Sequence, residues 1–137
     1  MTTIYKDIQD AFEAEVNAIA SFVDFAGENT RYRPDLAVNW SRGTLLKGEP
    51  TEGSIGAGTQ DRYAGIYQID VFTLSGSTNT NAMLLTDKVI SAFTKGKIIS
   101  SGTTNITIER AWAETSIPGD TWVQSPILIR WFTFATV

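Results

Sequence analysis

The chain has 137 residues, 42% hydrophobic and 19% charged, with a formal net charge of −4 and neither cysteine nor histidine. A single domain of this size buries roughly two-thirds of its unfolded surface and folds without disulfides or metal. The composition excludes a disulfide scaffold, a thiol nucleophile, a thiolate or imidazole zinc site and an imidazole general base.

The first element reads as a helix over 3–22, with Ile4, Ile8, Phe12, Val16 and Ile19 as its apolar stripe and Ala11 and Ala18 widening it. Asp7, Asp10, Glu13 and Asn17 fall off that stripe, which predicts a solvated face. Six of the fifteen acids and one of the eleven bases lie in residues 1–30, leaving nine acids and ten bases without a basic stripe in the remainder. Sequence-independent DNA binding needs clustered cations, so a grip on DNA is not expected. The N-terminus has no apolar signal core and no window approaches a membrane span, which makes cytosolic synthesis the expectation.

Residues 31–34 (Arg-Tyr-Arg-Pro) are expected to be extended, because the residue before proline avoids helical angles. Leu36, Val38 and Trp40 then alternate as a strand. Residues 43–60 hold five glycines and one proline and read as a flexible loop that orders only against another chain. Its glycine run at 53–58 leads into a strand rather than a helix and lacks Gly-Lys-Ser/Thr, so it is not a phosphate-binding loop.

Residues 62–96 are the clearest segment. Tyr63, Gly65, Tyr67, Ile69 and Val71 share a core-like face of a strand, and Arg62, Ala64, Ile66, Gln68, Asp70 and Phe72 share a mixed one. Gly65 leaves a gap on the core face, to be filled by a bulge or a close-packed neighbour. A Ser/Gly turn follows, and Thr78, Asn79 or Thr80 caps a helix carrying Ala82, Leu85, Val89 and Phe93 at helical spacing. Lys95 and Gly96 mark its end.

Beyond the helix, Lys97, Ile98 and Ile99 suit a short strand, and Ile106, Ile108, Arg110 and Trp112 alternate on one face of a longer one. After the turn at Pro118-Gly119-Asp120 a long strand runs from Trp122, where Pro126 implies an edge or a bulge. Leu128, Arg130, Phe132 and Phe134 face one way, and Ile127, Ile129 and Trp131 the other. Two apolar faces in a one-sheet domain leave part of one face for another subunit. Trp112, Trp122, Trp131 and Phe132 suit a core as well as an interface.

Little chemistry is available to such a chain. Ser91 lies only three residues from Lys88, a common helical spacing. Asp70 is expected to pair structurally with Arg110 or Arg130. The fold class is α+β: a single mixed, mainly antiparallel sheet with two helices packed on one face.

The order of elements, and above all Gly65-Ile-Tyr-Gln-Ile-Asp-Val-Phe72 followed by a Ser/Gly turn and Leu85-Thr-Asp-Lys-Val-Ile-Ser-Ala-Phe93, resembles the tail terminator proteins of long-tailed bacteriophages. Leu74-Ser75-Gly76 stands where that family often has Pro-x-Gly. The resemblance implies a single structural domain over 1–137 with no catalytic residues, cofactor or metal. It implies a virion protein, assembled in the host cytoplasm, that forms a ring, commonly of six copies, on the head-proximal end of the tail tube. Its partners would be its own copies, the tube protein and a neck or head-completion protein, with DNA passing through the ring without specific binding. The residues assigned to subunit or tube contacts are Leu45, Leu46, Lys47, Ile55, Arg62, Ile66, Gln68, Phe72, Arg130 and Phe132. A head-to-tail adaptor and, from a different class, a small-molecule-binding α+β domain are the alternative readings.

Overall fold

The computed structural model describes residues 3–20, 22–27, 39–52, 60–76 and 79–136. Among them are two helices, α1 (Ile4–Asn17) and α2 (Asn79–Ala92), and seven strands. The strands are β1 (Asp24–Ala26), β2 (Trp40–Lys47), β3 (Thr51–Glu52), β4 (Gln60–Leu74), β5 (Ile98–Ser101), β6 (Thr104–Ala113) and β7 (Trp122–Thr136). They form one sheet in the order β1-β2-β4-β7-β6-β5, with β3 pairing β4 off that path. Only β1 and β2 run parallel.

The axis of the sheet is the β4–β7 pair, in register from Gln60↔Thr136 to Leu74↔Trp122. Both helices pack on the face presented by Tyr67, Ile69 and Val71 of β4 and by Ile127, Ile129 and Trp131 of β7, all fully buried. The apolar stripes at helical spacing are what seat the helices: Ile4, Ile8, Phe12 and Val16 from α1, and Ala82, Leu85, Val89 and the following Phe93 from α2, are buried together. Phe12 is the keystone, stacked on Tyr67 at 4.5 Å and touching the Phe93 and Trp131 rings at 5.6 and 6.5 Å. Gly96 ends the second helical segment at φ +84. The cation at that end is Lys97 rather than Lys95: its ammonium donates to the Ala92 carbonyl and bridges to Glu15 of α1.

The gap at Gly65 is filled by a neighbour and not by a bulge. Gly65 stands opposite Trp131 in an unbroken register, and an added Cβ would run into the Leu46 carbonyl and lie 3.0 Å from the Trp131 ring. Pro126 is interior to the sheet order, yet it sits just past the last β6–β7 rung, Ala113↔Ile127. Its carbonyl still accepts from the Glu114 amide, so its missing N–H faces a place where the ladder has already ended.

Several expectations are corrected. The first helix stops at Asn17 instead of reaching residue 22, and the chain turns into β1, held to β2 by the Ser41 hydroxyl donating to the Asp24 carbonyl at 2.9 Å. The acidic face of α1 is not simply solvated. Asp7 accepts from Thr104 across the β5–β6 turn, Asp10 pairs with Lys6 at 2.6 Å and raises its pKa, chiefly through their hydrogen bond, and Glu15 holds Lys97. Residues 43–47 belong to β2 and 51–52 to β3, so the stretch expected as loop over 43–60 is strand in part. Residues 31–38 and 53–59, with the extended proline segment, Leu36, Val38, the glycine run and Ile55, lie outside the described residues, as does Thr78.

Candidate assembly interface

The face of the sheet opposite the helices is built from one phase of each strand. In β4 that phase is Arg62, Ala64, Ile66, Gln68, Asp70 and Phe72, and the antiparallel register lays the neighbouring strands across it. Ile66 meets Leu46 of β2 on one side and Arg130 of β7 on the other; Phe72 meets Trp40, and Ala64 meets Phe132. No helix covers this face among the described residues.

Its side chains form three zones. At one end Trp40 stacks on Phe72 at 4.2 Å with Trp122 edge-on at 6.3 Å, and the Arg42 guanidinium lies over both stacked rings. Asp70 beside them is 4% exposed and accepts from the Gln68 amide at 2.8 Å. Its cross-strand neighbour is Arg42, not Arg110 or Arg130, because the register sets Arg130 opposite Ile66. The middle is apolar, with Ile66 and Leu128 half-buried and Leu46 exposed. At the far end Arg62 bridges to Glu109 at 2.6 Å and covers the Phe132 ring, which meets Phe134 edge-on.

A β-bulge shapes this end. The β6–β7 register slips between Ile108 and Arg110, leaving Glu109 as the extra residue. Before the slip Ile106 and Ile108 point into the core; after it the core phase passes to Ala111, and Arg110 and Trp112 turn to the helix-free face. The alternation Ile106, Ile108, Arg110, Trp112 therefore does not share one face. Arg110 comes directly opposite Arg130, whose guanidinium lies 5.4 Å from the centre of the Trp112 ring.

The expected contact residues thus divide. Leu46, Arg62, Ile66, Gln68, Phe72, Arg130 and Phe132 gather on the helix-free face, although Phe72 is 8% exposed and serves its own stack. Leu45 is a core residue at 5% exposure, because the β2 phase that carries Leu46 outward carries Leu45 inward. Lys47 is exposed on the helix side, with its ammonium 5.2 Å from the centre of the Tyr5 ring. Sequence reasoning passed over Arg42, and the bulge hid the position of Arg110.

Elsewhere, an open groove of about 520 Å³ runs between α2 and residues 113–116, with Met83 and Ile90 on its wall and Asp87 and Glu114 as its charged lining. Among the described residues no cluster of three or more His, Cys, Asp or Glu side chains is arranged to hold a metal, and no helix is long and apolar enough to cross a membrane.

The chain is similar in fold to a solved structure with a TM-score of 0.75, which shares 20% sequence identity over 95% of this chain and 94% of the other. No curated protein matches the sequence significantly. The family model described as phage tail terminator protein matches residues 7–131.

Proposed function

The chain belongs to the phage tail terminator family, whose members are structural components of the virion, and on that premise we propose that it closes into a ring on the head-proximal end of the tail tube. The ring, of six copies, stops the tube from growing and offers its other side to the neck.

The observation that carries this reading is the helix-free sheet face. Leu46 and Phe134 are 43% and 45% exposed there, beside half-buried Ile66, Leu128 and Phe132. Exposed apolar surface of this kind, rimmed by arginines, fits a surface that another subunit covers. A contact between two different faces closes into a ring when its rotation allows, which lets one protein cap a tube without extending it. The net charge of −4 suits a lumen through which DNA slides without being held.

The test is electron microscopy of tail tubes assembled with and without the protein. Tubes made with it should end at a uniform length and carry a ring at one end; tubes made without it should overgrow. Unchanged lengths and bare ends would refute the proposal, and binding to portal or neck assemblies but not to tubes would replace it with the adaptor reading.

A further inference from the structure

Two rungs of the sheet set like charges directly against each other. At one, Arg110 of β6 stands opposite Arg130 of β7, both exposed. At the other, Glu52 of β3 stands opposite Asp61 of β4. A like-charged pair across a ladder destabilises the strands that carry it, so each rung is an unfavourable feature of the isolated subunit. Among the described residues neither is relieved by an ion pair: the salt bridges there are Lys6–Asp10, Arg62–Glu109 and Lys97–Glu15. Glu109, next to Arg110 in the chain, is held by Arg62, and Lys47 lies over the Tyr5 ring.

The rungs carry opposite signs and lie on opposite faces. Asp61 shares the helix-side phase of β4 with Tyr63 and Tyr67, and Glu52 follows it by register. Arg110 and Arg130 lie on the helix-free side, where the bulge at Glu109 turns Arg110 outward. One subunit cannot join them, but two subunits stacked face to back can. The acids of α1 are poorer partners, since Asp7, Asp10, Glu13 and Glu15 already accept from Thr104, Lys6, Gln9 and Lys97.

We infer that the Glu52–Asp61 rung of one copy docks on the Arg110–Arg130 rung of the next, as the charged register point of a head-to-tail contact. The inference rests on the ring reading above and deepens it by naming the pairing. Each carboxylate gains a guanidinium, both local repulsions are relieved, and contacts of one sign between copies are penalised, which enforces a single direction of stacking.

The test compares wild type with two double reversals, Arg110→Glu/Arg130→Glu and Glu52→Lys/Asp61→Lys, by mass photometry alone and in the presence of tail tubes, at low and high salt. Circular dichroism confirms that each is folded; the single variants Arg110→Glu and Glu52→Lys serve if a double reversal is not. Wild-type association should weaken with salt. Each double reversal should lose association by about tenfold or more, and an equimolar mixture of the two should recover it, because each then offers the other a complementary rung. Rings that survive both reversals would overturn the pairing while leaving the ring reading intact. A wild type that stays monomeric both alone and on tubes would overturn both. Loss of binding to a DNA oligonucleotide in the arginine reversal, with self-association unchanged, would overturn the pairing and assign the arginines to nucleic acid.

Discussion

Replacing Gly65 with alanine should destabilise the protein, although the same change in an open strand would help it. Alanine restricts the unfolded chain and typically stabilises by about 0.4–1 kcal/mol where the native backbone accepts it. Here the new Cβ would meet the Leu46 carbonyl, 3.0 Å from Trp131 Cζ2 and 3.3 Å from the Gly48 nitrogen. Two of those three obstacles are backbone atoms, on β2 and just past its end, so relief requires β2 to move away from β4 or the fully buried Trp131 ring to shift. Overpacking of this kind costs about 1–3 kcal/mol. A clash with a strand carbonyl puts the cost in the upper half of that range, so set against the entropic gain the net loss is about 1–2.6 kcal/mol, or a fall in Tm of about 3–10 °C for a chain of this size. Thermal and urea unfolding would read the loss, and near-ultraviolet circular dichroism would report the displaced tryptophan. Gly76→Ala is the control: Gly76 has φ +88 with nothing within 4 Å, so it should lose about 1 kcal/mol from backbone strain alone and leave the aromatic signal unchanged. A Gly65→Ala protein as stable as wild type, with an unaltered aromatic spectrum, would refute this reasoning.

Phe12→Ala should cost about 3–5 kcal/mol by urea unfolding, since it removes a fully buried ring that joins α1 to Tyr67, Phe93 and Trp131. Arg110→Glu should raise the stability of the monomer by about 0.2–1 kcal/mol, because it turns a like-charged rung into a cross-strand ion pair and spares the Arg130–Trp112 contact; a double-mutant cycle with Arg130→Gln isolates the term. Gly96→Ala, at φ +84, should lose about 1 kcal/mol in thermal unfolding.

The parts of the fold read most directly from sequence are those where one periodicity runs unbroken. The stripes from Ile4 to Val16 and from Ala82 to Phe93, and the odd phase of β4, each have one dry face, and that face alone determines how the element sits. Errors arise where tertiary pairing overrides local pattern. Ile19 and Phe22 extend the α1 stripe in sequence, but both pack against the core from outside the helix. β1 has three residues and exists only through its pairing with β2. The bulge at Glu109 is silent because Ile-Arg-Trp alternates acceptably in either phase. For the helix-free face, the outer phase of β4 and β7 is legible from its mixture of apolar and charged groups. Leu45 lies on the core face instead, because adjacent leucines leave the phase of β2 open until Tyr67 and Gly43 set it: an added Cβ on Gly43 would collide with the Tyr67 hydroxyl and the Phe25 ring tip.

The β4–β7 pair has a mechanical consequence. Fifteen paired rungs span roughly 50 Å, whereas a compact chain of this length is about 37 Å across. The ladder must therefore overhang its support, and burial follows that geometry: Tyr67 and residues 69–73 of β4 are buried, but no residue from 60 to 66 is. The overhang is confined to the outermost rungs, because Trp131 and Thr133 of β7, opposite Gly65 and Tyr63, are still buried and Tyr63 meets the Tyr5 ring of α1 at 5.8 Å. Amide protons should exchange fastest at the outermost rungs, residues 60–62 with 134–136, and slowest at the buried middle of the ladder. If the proposed ring forms, subunits joined through such strands flex at the tips while their cores hold station, so that ring would settle onto a tube rim whose pitch or diameter differs slightly from its own.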